Sequence, residues 1–349
     1  MRRIVAAGLL AGLLLSPKLW LSSRIYPQTP VWSGLPAIPP PFDWVVYAAL
    51  LLAVAVAAVK PRATVVFLGL AVVLVACDQS RLQPWFYQYS VMLLALSFAE
   101  GGENVCQLIV FSVYFWSGLQ KMGGGFAGDT FPWLVEPFHG WAPLWLGKAT
   151  PFVEAGLALG LLHRATRRPA VAAAVAMHAG ILLAIGPMGH NFNQVVWPWN
   201  LAMAASVVAL FWRENFVWLK HGWLSRVVLV LFTLAPGLSF FGLWDHYPSW
   251  ALYSGNRNAA KLYFSDAVYE KLADAVQDYV TDEGPDRDGL EVAEWSYGEL
   301  NVPAYPEMRV FRSVQRGLCR YGEVTLVIEG KATLFDGKRR IVFTCGSGS

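Results

Sequence analysis

The sequence predicts a polytopic α-helical membrane protein with about nine transmembrane helices and a small C-terminal α+β soluble domain. Three observations carry that expectation. Apolar residues make up 56% of the 349 positions and charged residues 15%, with a positive mean hydropathy that soluble domains of this length rarely show. Apolar runs of about 17 to 20 residues, the length that crosses hydrocarbon at 1.5 Å per residue, recur up to Trp244. The charge is split as well: 15 Lys+Arg stand against 8 Asp+Glu up to Trp244, and 12 against 16 beyond it. The domain boundaries read from this are 1–244 for the helical bundle, 245–345 for an extracytoplasmic α+β domain, and 346–349, Gly-Ser-Gly-Ser, for a linker remnant.

Met1-Arg2-Arg3 followed by Ile4 to Leu15 has the basic start and apolar body of a secretory signal. The apolar character runs on through Leu19, Trp20 and Leu21, and no small-residue cleavage site follows, so it reads as a retained first helix. Nine spans are expected to begin near Ile4, Asp43, Ala63, Pro84, Val105, Pro151, Pro169, Gln194 and Arg226. With Arg2 and Arg3 on the cytoplasmic side, nine crossings also place Lys60-Pro61-Arg62, the His163 to Arg168 segment and the Arg213 to Arg226 loop inside. The C-terminal domain then lies outside the cytoplasm, in the periplasm of a bacterium. Basic residues confined to short loops match this topology and give no reason to expect nucleic acid as a partner; the lipid bilayer is the expected one.

Beyond Asp245 the pattern changes to that of a soluble domain. Asp266 to Val280 reads as one amphipathic helix, Thr281 to Gly289 as an acidic turn region, and a second helix is expected after Pro306. Val324 to Ile328 and Arg340 to Thr344 read as strands paired across Asp336-Gly337. No phosphate loop and no metal-ligand spacing is present, so no metal is expected. Cys319 and Cys345 either form a disulfide in an oxidising compartment or remain two buried thiols.

Ionisable residues at membrane depth are costly, which makes each one a functional candidate. Asp78, Lys121, Glu154 and His178 stand out. Partial desolvation favours the neutral amine of a lysine and turns it into a base, so Lys121 is a candidate catalytic residue with Glu154 and His178 beside it. The bland alternatives are a lysine that snorkels to water and a histidine that hydrogen-bonds a neighbouring helix. Two polar, aromatic-rich loop segments supply a candidate binding set. Asp78, Arg81, Gln83 and Trp85 come from the first, and Asn193, Trp197 and Asn200 from the second. An interfacial aromatic belt accounts for the Trp residues; the polar ones suit the mouth of a pocket for a planar, quinone-like ligand.

The run Tyr114-Phe115-Trp116-Ser117-Gly118-Leu119-Gln120-Lys121-Met122 resembles the segment of vitamin K-dependent gamma-carboxylases in which a Tyr-Phe and a Gly precede a catalytic lysine. Met177-His178 resembles the late-helix histidine of the wider group of bacterial proteins with a horizontally transferred transmembrane domain. The resemblance implies Lys121 as the base that deprotonates a reduced vitamin K or menaquinone-like quinol, with Glu154 and His178 tuning or orienting it. Trp85 stands where the family segment opened by Asp78-Gln79-Ser80 carries a second histidine, and the outer region that binds propeptides in the animal enzymes is shortened. The implied activity is therefore quinol oxidation by oxygen at the outer side of the membrane, with an extracytoplasmic protein or peptide as a further partner. The competing class is a non-enzymatic scaffold or assembly factor that presents its C-terminal domain.

Overall fold

A computed structural model describes residues 1–138, 143–213 and 222–345; part of the basic loop before Arg226 and the terminal Gly-Ser repeat lie outside these. The helices are α1 (Arg2–Leu15), α2 (Pro17–Trp20), α3 (Phe42–Ala57), α4 (Ala63–Cys77), α5 (Pro84–Phe98), α6 (Gly102–Gln120), α7 (Phe131–Val135), α8 (Leu146–Leu162), α9 (Arg164–Ile185), α10 (Val196–Phe211) and α11 (Trp223–Val228). They are followed by β1 (Ala259–Phe264), α12 (Asp266–Tyr269), α13 (Asp274–Gln277), β2 (Val280–Asp282), β3 (Asp288–Glu291), α14 (Val292–Leu300), α15 (Met308–Leu318), β4 (Thr325–Gly330) and β5 (Arg339–Thr344).

Helices form over the apolar runs, but the expectation of about nine membrane spans is not met. Among the described residues two helical segments, Arg164–Ile185 and Trp223–Phe241, are long and apolar enough to cross a membrane. The reason is length. Pro17, Lys60-Pro61, Asp78 and Pro84 punctuate the apolar runs, so α1, α3, α4, α5 and α10 hold 14 to 16 residues. At the helical rise these extend about 21 to 24 Å, short of a hydrocarbon core of about 30 Å. Helix α6 has 19 residues but spends several of them on Glu103, Asn104, Gln107, Ser112 and Ser117. The fold class is thus mainly helical with one small sheet, and two helices meet the spanning criterion by length and composition.

The chain packs as two compact units. The first comprises Met1–Leu15, Leu50–Gly69 and Pro84–Asn256. Within it α6 lies along α8, α9 contacts both α8 and α10, and α1 packs on α5 and α10. Two glycines allow the α1 packing: a Cβ on Gly8 would stand 2.5 Å from the Tyr89 hydroxyl, and one on Gly12 would meet the Trp85 ring at 2.7 Å. Leu9, Leu13, Met92, Leu108, Ile109, Ala158, Leu161 and Val207 form the buried apolar centre.

The second unit comprises Ser16–Ala49, Leu70–Gln83 and the chain from Arg257 onward. Its sheet is antiparallel throughout, in the order β2-β3-β1-β4-β5, with Leu262 opposite both Leu290 and Leu326 at its centre. The expected helix over Asp266 to Val280 is broken into α12 and α13. Val268, Leu272 and Val276 keep their helical spacing and are all buried, but the backbone is extended at Ala273. The Gln277 side-chain amide replaces the missing helical donors by bonding the carbonyls of Tyr269 and Leu272. The two strands read from the sequence pair as β4 and β5, whereas β1 and α14 had no counterpart in that reading, and the region read as an acidic turn forms the paired strands β2 and β3 with the turn between them. A disulfide joins Cys319 at the end of α15 to Cys345 after β5. Alkylation of the denatured chain should therefore label Cys77 and Cys106 without reductant, and add two further groups by mass only after reduction.

Candidate functional site

Tyr114, Ser117 and Lys121 recur at spacings of three and four residues along α6, which places them on one helix face. Gly118 lies beside that row, and its missing side chain sets the approach of α8. A Cβ there would stand 2.5 Å from the backbone nitrogen of Ala155 and 2.7 Å from the Pro151 carbonyl oxygen. One turn past Pro151, Glu154 consequently reaches α6. Lys121 Nζ donates to Glu154 Oε2 at 2.8 Å, to Ser117 Oγ at 2.5 Å and to the Ser117 carbonyl at 3.2 Å. Both charged side chains are at least nine-tenths buried. The ammonium also lies 5.9 Å from the centroid of the Phe126 ring.

A second buried chain of polar groups continues from the same helix face. The Tyr114 hydroxyl and His178 Nε2 are 2.7 Å apart, and His178 Nδ1 is 2.8 Å from Asn200 Oδ1. Asn200 Oδ1 is an acceptor, so Nδ1 carries the proton and Nε2 accepts from Tyr114 when the ring is neutral. Asn200 is itself fixed by donating from Nδ2 to the Val196 carbonyl at 2.8 Å. The Glu154 carboxylate interacts electrostatically with both Tyr114 and His178. Lys121, Glu154, Tyr114, His178 and Asn200 therefore form one polar constellation among apolar side chains.

No family model, no curated protein and no solved structure matches this chain. The geometry alone places the remaining candidates. Trp197 belongs to the same unit, where its Nε1 donates to the carbonyls of Ile185 and Phe192, both at 3.1 Å. Trp85 is buried against Gly12. Asn193 donates from Nδ2 to the Tyr253 hydroxyl at 2.9 Å, while its buried Oδ1 has no partner among the described residues. That unpaired acceptor can take one hydrogen bond from any O–H or N–H donor. Asn193 is the one member of the expected binding set with an orphaned polar atom among the described residues.

Asp78, Arg81 and Gln83 belong to the other unit and are committed to protein partners. Asp78 accepts from Arg24 at 2.5 Å, from the Thr29 hydroxyl at 2.8 Å and from the backbone amides of Thr29 and Ser80 at 3.2 and 3.1 Å. Arg81 donates to the carbonyls of Leu19, Trp20 and Leu74, and Gln83 to those of Ser80 and Pro303. Burial alone would raise the Asp78 carboxyl, but Arg24 and Arg81 outweigh it and hold the group below the usual carboxylate range. Burial pushes Arg81 down to about 10 despite the neighbouring carboxylate. Asp78 and Arg81 lock the Ser16–Ala49 segment onto the end of α4, and Gln83 ties the turn after it to the Pro303 carbonyl.

Sequence reasoning missed Tyr114 and Ser117 as members of the constellation. Their signal was the row at three- and four-residue spacing ending in Lys121, with a glycine beside it. Gly118→Ala should cost about 1–3 kcal/mol through overpacking, because backbone rather than a flexible side chain occupies the space. Thermal unfolding in detergent measures that loss, and Gly156→Ala, where nothing lies within 4 Å, is the matched control.

Proposed function

We propose that this chain is a membrane-embedded enzyme that oxidises a reduced naphthoquinone with oxygen, with Lys121 as the base. The observation that carries the reading is the buried Lys121–Glu154 pair continued by Tyr114, His178 and Asn200. An ion pair desolvated to this degree is weak evidence for stability, since apolar residues of similar volume serve that end as well or better. Shifting one proton from Lys121 to Glu154 leaves a neutral amine beside an uncharged carboxyl. The amine then has a lone pair to accept a substrate proton, and Ser117 holds it in place. His178, fixed by Asn200, accepts the Tyr114 hydroxyl proton and so holds the phenol oxygen as an acceptor within the field of Glu154. A hydroquinone supplies two electrons and two protons to oxygen, giving quinone and hydrogen peroxide. The substrate class follows from the likeness of the Tyr114 to Met122 run to carboxylase sequences, and Asn193 Oδ1 is the acceptor that would hold one hydroxyl.

Residence in a bilayer is part of this reading. It is supported by the two apolar segments Arg164–Ile185 and Trp223–Phe241 and by large apolar side chains left exposed on other helices, among them Leu52, Val66, Val72, Phe152 and Leu159. The Cys319–Cys345 disulfide suits an oxidising compartment for the second unit.

The test is oxygen uptake by purified protein supplied with a reduced naphthoquinone, measured above spontaneous autoxidation. Wild type is expected to accelerate uptake and Lys121→Ala to abolish the acceleration while keeping its helical circular dichroism. Absence of any acceleration by wild-type protein would overturn the reading in favour of a scaffold whose role depends on the sheet-bearing unit.

A further inference from the structure

Lys121 Nζ is enclosed by the walls of its own site. Three side chains meet it: Ser117 from the same helix, Glu154 from α8, and Phe126, which is buried with its ring centroid 5.9 Å away. A planar substrate reaches the amine only when one of these walls moves. Helices α6 and α8 do not supply the movement, because they meet directly at Gly118, where a Cβ would stand 2.5 Å from the Ala155 nitrogen. Interiors packed this closely transmit a shift along the whole contact instead of yielding at one point. Phe126 remains.

The chain around Phe126 is built differently from the helices. Lys121 is joined to it by Met122 and three consecutive glycines, Gly123-Gly124-Gly125. Nothing lies within 4 Å of a Cβ built on Gly123 or Gly124, so both have the backbone freedom and the space to turn. Phe126 then opens a π-helical turn, Phe126–Thr130, a rare geometry that recurs at functional sites. Gly125 is the crowded member of the run. A Cβ on it would stand 2.4 Å from the Gly255 carbonyl oxygen, and one on Gly255 would stand 2.2 Å from the Gly125 carbonyl carbon. Gly255 also has φ +67°, which favours glycine there. The segment carrying Gly255 is anchored on both sides of Leu252. Trp250 is buried against Tyr87 and Phe232 at ring distances of 4.9 and 5.8 Å, and the Tyr253 hydroxyl accepts from Asn193. A backbone-to-backbone contact on an anchored segment acts as a latch, and the open glycines before it as a hinge.

We infer that Phe126 is a gate over Lys121, hinged at Gly123 and Gly124 and latched where Gly125 meets Gly255, which admits a flat apolar molecule to the amine. The gate rests on the reading of Lys121 as a group that meets substrate, and access is measured apart from oxygen uptake so that the two can fail separately. The purified full chain in detergent is treated with phenyl isothiocyanate, a flat uncharged probe. The neutral amine attacks its central carbon to give a thiourea, and the amine proton passes to the probe nitrogen. The rate of mass gain on the peptide holding Lys121 is normalised to that at the exposed Lys338. Gly255→Ala wedges the latch apart and is expected to speed labelling about tenfold, in line with the usual cost of overpacking. Gly123→Ala combined with Gly124→Ala stiffens the hinge without a clash and is expected to slow it about fivefold. Partial loss of the fold can only speed labelling, so the slowing separates a hinge from general destabilisation. Equal rates in wild type and Gly255→Ala overturn the gate, and so does a hinge pair that labels as fast as wild type or faster. Gated labelling without quinol-dependent oxygen uptake keeps the gate and rejects the oxidase; uptake with ungated labelling does the reverse.

Discussion

Asp78→Ala is expected to destabilise the sheet-bearing unit by about 3–5 kcal/mol, the range observed when one partner of a buried ion pair is removed. The carboxylate lies between two guanidinium groups, Arg24 at 2.5 Å and Arg81 at 3.8 Å, with all three side chains almost wholly excluded from water. Without it two like charges remain buried, and the Thr29 hydroxyl and the Thr29 and Ser80 amides lose their acceptor. Asp78→Asn keeps a hydrogen-bond acceptor for Thr29 but still lacks the charge, so it should fall between wild type and alanine. Hydrogen exchange of the β1 and β4 amides, read on the full chain in detergent, measures the opening of this unit separately from the helices.

The same residue fixes a pH dependence. The Asp78 carboxyl is held below its ordinary value of about 3.9, so in acid the unfolded chain takes up its proton first. Its contribution is complete above the unfolded value and is lost as pH falls through the lower folded one. Between pH 5 and 8 this group should leave stability flat, and the decline should appear only below the usual carboxylate range. Asp78→Asn should remove that portion of the acid limb. An unchanged acid limb in Asp78→Asn would reject the assignment.

Asp78 also shows why part of the site could not be read from sequence. An aspartate at the end of an apolar run, followed by Gln, Ser and Arg, looks like the rim of a binding pocket. What turns it into a structural hub is Arg24, which lies 54 positions earlier in a bent segment outside any helix or strand, with no periodicity to mark its facing. The coupling of Lys121 to Glu154 left a better trace, because two ionisable residues in apolar helices have few ways to be satisfied other than by each other. The helices themselves were legible as apolar runs, but hydropathy averages across proline and polar breaks that end a helix. Short helices were thereby counted as spans. Likewise Val268, Leu272 and Val276 carry a helical pattern that their two single turns obey without being one helix, and the short β1 offered too little alternation beside its lysine to stand out.

Separate and combined replacement of Lys121 and Glu154 should divide catalysis from architecture. Lys121→Met leaves a buried carboxylate without its cation, and Glu154→Gln leaves a buried ammonium without its anion. Each is expected to lower the stability of the helical unit by about 3–5 kcal/mol. The double variant buries no charge and fills similar volume, so most of that stability should return. Activity should behave differently. If Lys121 is the base, both Lys121→Met and the double variant should lose about 10²- to 10⁴-fold in catalysed quinol oxidation, the usual range for a general base. Recovery of stability without recovery of oxygen uptake would separate the proton-transferring role from the packing role. A double variant that recovered both would make the pair a helix-to-helix contact with no part in chemistry. Tyr114, His178 and Asn200 bond one another across α6, α9 and α10, which is also how buried polar groups are satisfied in helix packing, so the double variant decides between the two outcomes.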